Sequence, residues 1–242
     1  MDGNGRWAGE RGQARWEGHS AGAKSVRLTV ETAAELGIEY LTLYAFSVNN
    51  WRRPRLEVEA LMRLLTHFAK KEQAELIRQN VSVKVVGHLH DLPKGPRQAV
   101  ENLMDATNHC TGMTLSLALS YGGRGDVLEA AQRLVARAQA GELNAASVTL
   151  DTLRAEMSTA FLPDVDLLIR TGGQSRISDF LLLECAYAEL CFVDVMWPEF
   201  RSEHLQQAID QFRGIERRFG LTSQQVSEHD RHLLNSPQLR AQ

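Results

Sequence analysis

Long apolar runs are missing from this 242-residue chain. None approaches the roughly 20 residues that a membrane-spanning helix needs, and the first residues lack the basic-then-apolar pattern of a secretory leader. The sequence therefore reads as a soluble protein. Cysteine is scarce too: Cys110, Cys185 and Cys191 are odd in number and form no short ligand pair. That argues against a disulfide framework or a zinc knuckle, and for a reducing, cytoplasmic setting. Charge of one sign is also lacking, since the formal net charge is only -3. No general pull toward nucleic acid or an anionic membrane follows, so any basic site must be local. Walker-type Gly-Lys-Ser/Thr sequences, Gly-x-Gly-x-x-Gly turns after a strand and nucleophile elbows do not occur, which leaves nucleotide binding and serine hydrolysis without support.

What is present is enough for one core: 43% hydrophobic and 24% charged residues over 242 positions predict a single domain over 1–242, with about 221–242 expected as a flexible C-terminal tail. Branched, apolar runs at Tyr40 to Phe46, Val81 to Val86, Met113 to Leu119, Val165 to Ile169 and Leu190 to Val193 read as buried strands. Helical spacing fills the intervals, as in Ala21 to Leu36 closed by Gly37. A long helical stripe after Pro54 runs through Val58, Leu61, Leu64, Leu65, Phe68, Leu76 and Ile77. It either faces the core or lines a cleft for a hydrocarbon chain. Alternating strands and helices predict an α/β fold, a mostly parallel central sheet flanked by helices, whose ligands bind beyond the carboxyl ends of the strands.

The polar stretches fall at that rim. Ser47 to Arg53, Ser120 to Asp126 and Thr171 to Ser178 each follow an expected strand. Gly3 and Gly5 let backbone amides approach an anion at the start of a helix, although such turns are often ordinary. Arg6, Arg11, Arg15 and His19 follow that turn, Arg52, Arg53 and Arg55 follow one strand, and Arg170 and Arg176 another. Converging guanidinium groups, planar and always charged, suit a diphosphate. Asp2 beside the turn offers a hard oxygen that either shares magnesium with phosphate oxygens or caps the helix, and Glu189 is a second candidate metal ligand or a solvated carboxylate.

Met1-Asp2-Gly3-Asn4-Gly5-Arg6-Trp7-Ala8 with Arg15 and Gly18-His19 resembles the opening signature of the cis-prenyltransferases of the undecaprenyl diphosphate synthase type. Phe46-Ser47 with Asn50-Trp51-x-Arg53-Pro54, Ser120-Tyr121-Gly122-Gly123-Arg124, and Arg170-Thr171-Gly172-Gly173 with Arg176-Ile177-Ser178 resemble the motifs that follow. Ala186 to Leu190, Trp197-Pro198 and Glu216-Arg217-Arg218-Phe219-Gly220 extend the likeness to about residue 220.

The resemblance implies a homodimeric, magnesium-dependent transferase that condenses isopentenyl diphosphate onto an allylic diphosphate, farnesyl diphosphate by expectation, to give undecaprenyl diphosphate for a cell-wall carrier lipid. It implies catalytic roles for Asp2 and Asn50, with Asp2 and Glu189 as magnesium ligands. The allylic diphosphate falls to Gly3, Asn4, Gly5, Arg6, Arg15 and His19, and the isopentenyl diphosphate to Arg170, Arg176 and Ser178. Trp7, Ser47, Val48, Asn49, Trp51, Arg53 and Ile177 complete the expected substrate contacts. Nucleic acid is not expected as a partner; transient contact with a membrane surface during product release is.

The sequence departs from the family pattern at Asn49, where a glutamate is usual, and at Gln174, Ser175, Asp179, Leu183 and Glu184 on the isopentenyl side. The family also has an apolar strand before the Asp-Gly-Asn turn, so the sheet is expected to lack its first strand and the domain to be less stable for it. Two alternative functions stay open: a non-catalytic or impaired partner subunit, and an enzyme making a short or irregular product.

Overall fold

The computed structural model describes residues 1–216. The expected tail and Arg217 to Gly220 of the last motif lie outside the described residues. Helices α1 (Asn4–Glu10) and α2 (Arg15–Glu35) lead into strand β1 (Tyr40–Ser47), a 3-10 turn (Val48–Arg52), α3 (Arg55–Lys71) and α4 (Gln73–Arg78). Then come β2 (Ser82–Gly87), a 3-10 turn (Leu89–Asp91), α5 (Lys94–Thr107), β3 (Thr114–Tyr121), α6 (Gly123–Gln139) and α7 (Leu150–Ala155). The described part closes with β4 (Leu167–Arg170), β5 (Glu189–Phe192), a 3-10 turn (Trp197–Glu199) and α8 (Ser202–Arg213).

Every ladder is parallel, as alternation of strand and helix requires. β3 is central, buried from Leu115 to Tyr121, because Leu-Ser-Leu-Ala-Leu-Ser-Tyr meets protein on both faces. The expected mostly parallel sheet flanked by helices is present, and among the described residues its strands form two ladders, β1-β3-β2 and β4-β5. One correction concerns the stripe after Pro54, which is split at Glu72 between α3 and α4. Glu72 is nearly buried and accepts two hydrogen bonds from the Arg27 guanidinium of α2, at 2.9 and 2.7 Å. This tertiary ion pair is one that local periodicity does not reveal.

α2 begins at Arg15, earlier than its apolar spacing suggests, and two glycines on one face explain why. A methyl at Gly18 would fall 1.9 Å from the Asn4 carbonyl oxygen, and one at Gly22 would fall 2.5 Å from Asn4 Oδ1 and 2.7 Å from Trp197 Cδ1. Helix propensity costs about 1 kcal/mol per glycine here, and the close approach of α1 offsets it. Trp197 Nε1 donates to the Gly22 carbonyl at 3.1 Å and fastens the 3-10 turn onto the same face.

Candidate active site

Two clusters of charge form at the carboxyl rim, and α1 touches both. The first gathers on Asp2. Its Oδ2 accepts from Arg170 Nη2 at 2.8 Å, its Oδ1 accepts from the Gly3 amide at 2.7 Å, and Arg6 stands 3.6 Å away. The backbone of Asp2 is held as firmly: its amide donates to Thr171 Oγ1 at 2.9 Å, the Thr171 hydroxyl donates back to its carbonyl at 2.8 Å, and the Trp197 amide adds a third bond at 2.9 Å. Burial alone would raise the Asp2 carboxyl, but the Arg170 hydrogen bond, the Gly3 amide and the charges of Arg170 and Arg6 together hold it below the ordinary value. Gly3 carries the turn at φ 102°, where a side chain would also strike Met196 Cβ at 2.9 Å.

Arg170 bridges this cluster to the Thr171–Ser178 loop. Its Nη1 donates to Ser178 Oγ at 2.6 Å and to the Arg176 carbonyl. Arg176 itself is exposed and donates to Gln174 Oε1 at 2.6 Å, and Ile177 packs on the smaller apolar cluster around Tyr121 and Leu181. Ser178 and Asp179 both adopt left-handed backbone, φ 53° and 63°, a conformation that costs of order 1–3 kcal/mol for a non-glycine residue. The start of α6 holds that loop: the Arg124 amide and Nε donate to Asp179 Oδ1 at 3.0 and 3.2 Å, and the Gly123 amide donates to the Asp179 carbonyl at 2.8 Å.

The second cluster centres on Glu57, in the first turn of α3. Its side chain is 7% exposed and faces Arg53 at 3.0 Å, Arg15 at 3.3 Å and His19 at 3.5 Å. Burial first, then the neighbouring Arg53 and Arg15, lower the His19 pKa against the pull of Glu57, which favours a neutral ring near pH 7. The Arg15 guanidinium lies on Gly5, where a methyl would meet its Cζ at 2.6 Å. Ser47 and Asn50 make a reciprocal cap at the 3-10 turn, the Ser47 amide donating to Asn50 Oδ1 at 3.1 Å, and Trp51 Nε1 donates to Ser120 Oγ at 2.9 Å. Val48 and Asn49 are exposed at the lip.

Behind this second cluster a cleft runs inward, polar at its mouth with His19, Asn50 and Arg53, and apolar within along Val26, Leu65 and Phe68. Asn4 also lines it, with a buried Oδ1 that has no hydrogen-bond partner among the described residues. A buried acceptor of this kind is expensive unless something from outside the chain meets it.

The expected site residues thus come together with two exceptions. Trp7 is directed to Glu199, its Nε1 donating to Oε1 at 2.9 Å while Arg11 covers its ring at 4.2 Å. Glu189 opens β5 and pairs in register with Leu167, while Arg170 pairs with Phe192 at the other end of the ladder. Three residues of parallel strand, about 10 Å, separate those levels, so the fold of this chain does not bring Glu189 to Asp2. Asp2 alone does not make a metal cage, and no group of three or more His, Cys, Asp or Glu suited to a metal occurs among the described residues. Its hard carboxylate oxygen does fit magnesium of the kind completed by substrate phosphates. Glu57, Thr171 and Asp179 were given no site role by the sequence, although Thr171 falls within the Arg170-Thr171-Gly172-Gly173 motif and Asp179 among the departures on the isopentenyl side; the signal for Glu57 was its place four residues after Arg53 at a helix start.

A rim of this kind, basic at the mouth and apolar behind, defines a protein that handles an anionic headgroup on a hydrocarbon chain. Residues 1–220 match the family model described as "Putative undecaprenyl diphosphate synthase", and the chain belongs to that family of prenyltransferases. It is 41% identical over 230 residues to the isoprenyl transferase of Chlorobaculum tepidum, covering 95% of this chain and 87% of that protein. It is 42% identical over 220 residues to the ditrans,polycis-undecaprenyl-diphosphate synthase ((2E,6E)-farnesyl-diphosphate specific) of Micrococcus luteus, covering 91% and 88%. Among solved structures it resembles lavandulyl diphosphate synthase from Lavandula x intermedia in complex with dimethylallyl diphosphate. That likeness has a TM-score of 0.88 and 31% identity and covers 91% of this chain and 95% of that one. No helix among the described residues is long and apolar enough to cross a membrane.

Proposed function

We propose that this enzyme condenses isopentenyl diphosphate with farnesyl diphosphate, forming cis double bonds and ending at undecaprenyl diphosphate, in the cytoplasm and as a homodimer. The observation that carries the reading is the cleft whose mouth is ringed by Arg53, His19 and Asn50 and whose body is apolar. The allylic diphosphate sits among Arg15, His19, Arg53, Asn4 and Gly5 with its hydrocarbon in the cleft. Isopentenyl diphosphate is held at Arg170, Arg176 and Ser178, and Arg6 lies between the two headgroups against Gly172.

In each cycle the allylic C–O bond breaks and diphosphate departs, the terminal alkene carbon C4 of isopentenyl diphosphate bonds to the allylic carbon, positive charge develops on C3, and a proton leaves C2 to form the new double bond between C2 and C3. Arginines and turn amides fixed in advance favour the charge growing on the departing diphosphate over the neutral ester link. Asn50, fixed by the Ser47 amide, assists proton removal. Asp2 would hold magnesium, which supplies further stabilisation of diphosphate charge when bound. Leu190 and Phe192, 48% and 37% exposed on the β5 edge, support cover by a second copy, and Glu189 lies on that strand. Trp16 and Leu56, exposed beside Arg15 and Arg55, support brief membrane contact as product leaves.

The test is incubation of the protein with farnesyl diphosphate, labelled isopentenyl diphosphate and magnesium, followed by lipid extraction and chromatography. Label in a long polyprenyl diphosphate, reduced about 100-fold in Asp2→Ala, is expected. No labelled lipid from the parent protein contradicts the proposal and favours a non-catalytic partner subunit. The likeness to lavandulyl diphosphate synthase, with Asn49 and Gln174 in place of the family's usual residues, favours a short or irregular product as a second reading; the mobility of the labelled product separates the two.

A further inference from the structure

Three strand ends of one ladder meet at a single hydroxyl. In the ladder β1-β3-β2, Phe46 pairs with Leu119 and Ser47 with Tyr121, so Ser120 is passed over and forms a bulge opposite β1. On the other side the ladder with β2 ends at Gly87 opposite Leu119. Ser120 takes φ 47° there and is fully buried. A left-handed conformation suits glycine far better than serine, and bulges redirect a side chain next to working sites.

The redirected hydroxyl is used twice. It accepts from Trp51 Nε1 at 2.9 Å and donates to Asp91 Oδ2 at 2.7 Å. Asp91 ends the 3-10 turn after β2, its other oxygen 3.4 Å from the exposed His90 ring. Trp51 lies in the 3-10 turn after β1, its ring edge-on to Phe46 at 4.7 Å. A serine hydroxyl has one proton to give, and giving it to a carboxylate leaves its lone pairs for the indole N–H. Asp91 therefore fixes the direction of the hydroxyl, and the hydroxyl fixes the indole.

We infer that Asp91 and Ser120 are positioning residues that hold Trp51, and through it the adjacent Asn50, at the mouth of the cleft. Its consequence for turnover rests on the proposed condensation; the placement of Trp51 does not. Ser120 keeps a strained backbone because its hydroxyl is needed, so replacement by glycine relaxes the backbone and removes the bridge together.

The experiment labels the full chain with 5-fluorotryptophan, which gives one 19F resonance for each of its four tryptophans, the Trp51 signal being identified by its loss in Trp51→Phe. Ser120→Gly and Asp91→Ala are expected to move the Trp51 resonance and leave the other three in place. Asp91→Asn, whose side-chain oxygen still accepts from Ser120, keeps the parent spectrum. In the condensation assay kcat falls about tenfold in Ser120→Gly and Asp91→Ala, with little change in KM, and recovers in Asp91→Asn. A Trp51 resonance that is unmoved in Ser120→Gly overturns the bridge. A moved resonance with parental kcat overturns the positioning role. A moved resonance in a protein whose parent makes no labelled lipid upholds the bridge and counts against the proposed condensation instead.

Discussion

Glu57→Gln is the perturbation that most sharply examines the basic mouth. The substitution keeps the shape and one acceptor oxygen but removes the charge on which Arg53, Arg15 and His19 converge at 3.0, 3.3 and 3.5 Å. Breaking a buried ion pair costs about 3–5 kcal/mol. The Arg15 side chain here is 60% exposed and that of Arg53 32%, so solvent screens much of the attraction, and a loss of about 2 kcal/mol is expected. For a domain of this size that lowers Tm by about 4–8 °C. The same change leaves the two guanidinium groups without an anchor and facing one another, so they are less ordered when a diphosphate arrives. Loss of one well-placed charge-assisted hydrogen bond raises the KM for the allylic diphosphate about tenfold, with kcat little changed. Thermal unfolding and steady-state kinetics with the allylic substrate varied read both effects. A variant that melts with the parent and keeps its allylic KM refutes the idea that Glu57 organises the mouth.

Two further outcomes follow from the same geometry. Because the Asp2 pKa is lowered from 3.8, its contribution to stability is present above that value and is lost as pH falls through the lowered one; the His19 pKa is lowered from 6.5, so its contribution is present above 6.5 and lost as pH falls below it. Thermal melts from pH 8 to 5 should show a decline beginning near pH 6.5 that His19→Asn removes and Asp2→Asn does not. Arg170→Lys keeps the charge but not the fork that reaches Asp2, Ser178 and the Arg176 carbonyl at once. Catalytic efficiency toward isopentenyl diphosphate should fall about 10- to 100-fold, as steady-state assays with that substrate varied would record.

Much of the architecture was legible because it is local. β1, β2 and β3 begin and end within two residues of their apolar runs, and β3, buried along nearly its whole length, leaves the clearest signature. The rim was legible for the same reason: polar, glycine-rich and arginine-rich loops must follow strands that are themselves visible. What escaped was tertiary. Thr171 grips the backbone of a residue 169 positions away, and the break at Glu72 is stabilised by Arg27 from another helix. Glu189 is within a strand of four residues whose start decides which end of the ladder it occupies, and an offset of one residue in reading that strand conceals the answer. Asp179 looks like an ordinary loop acid until the start of α6 is folded against it.

In the proposed reaction one cleft takes a charged headgroup at its arginines and a hydrocarbon tail in its interior. Calorimetric titration of farnesyl thiolodiphosphate, which resists ionisation, against inorganic diphosphate measures both halves at once. The expected result is that the farnesyl compound binds at least about 100-fold more tightly, as burial of even a few methylene groups at about 0.8 kcal/mol each requires, and that Arg53→Ala weakens both ligands. Equal affinities for the two ligands, or an unaffected Arg53→Ala, would contradict it.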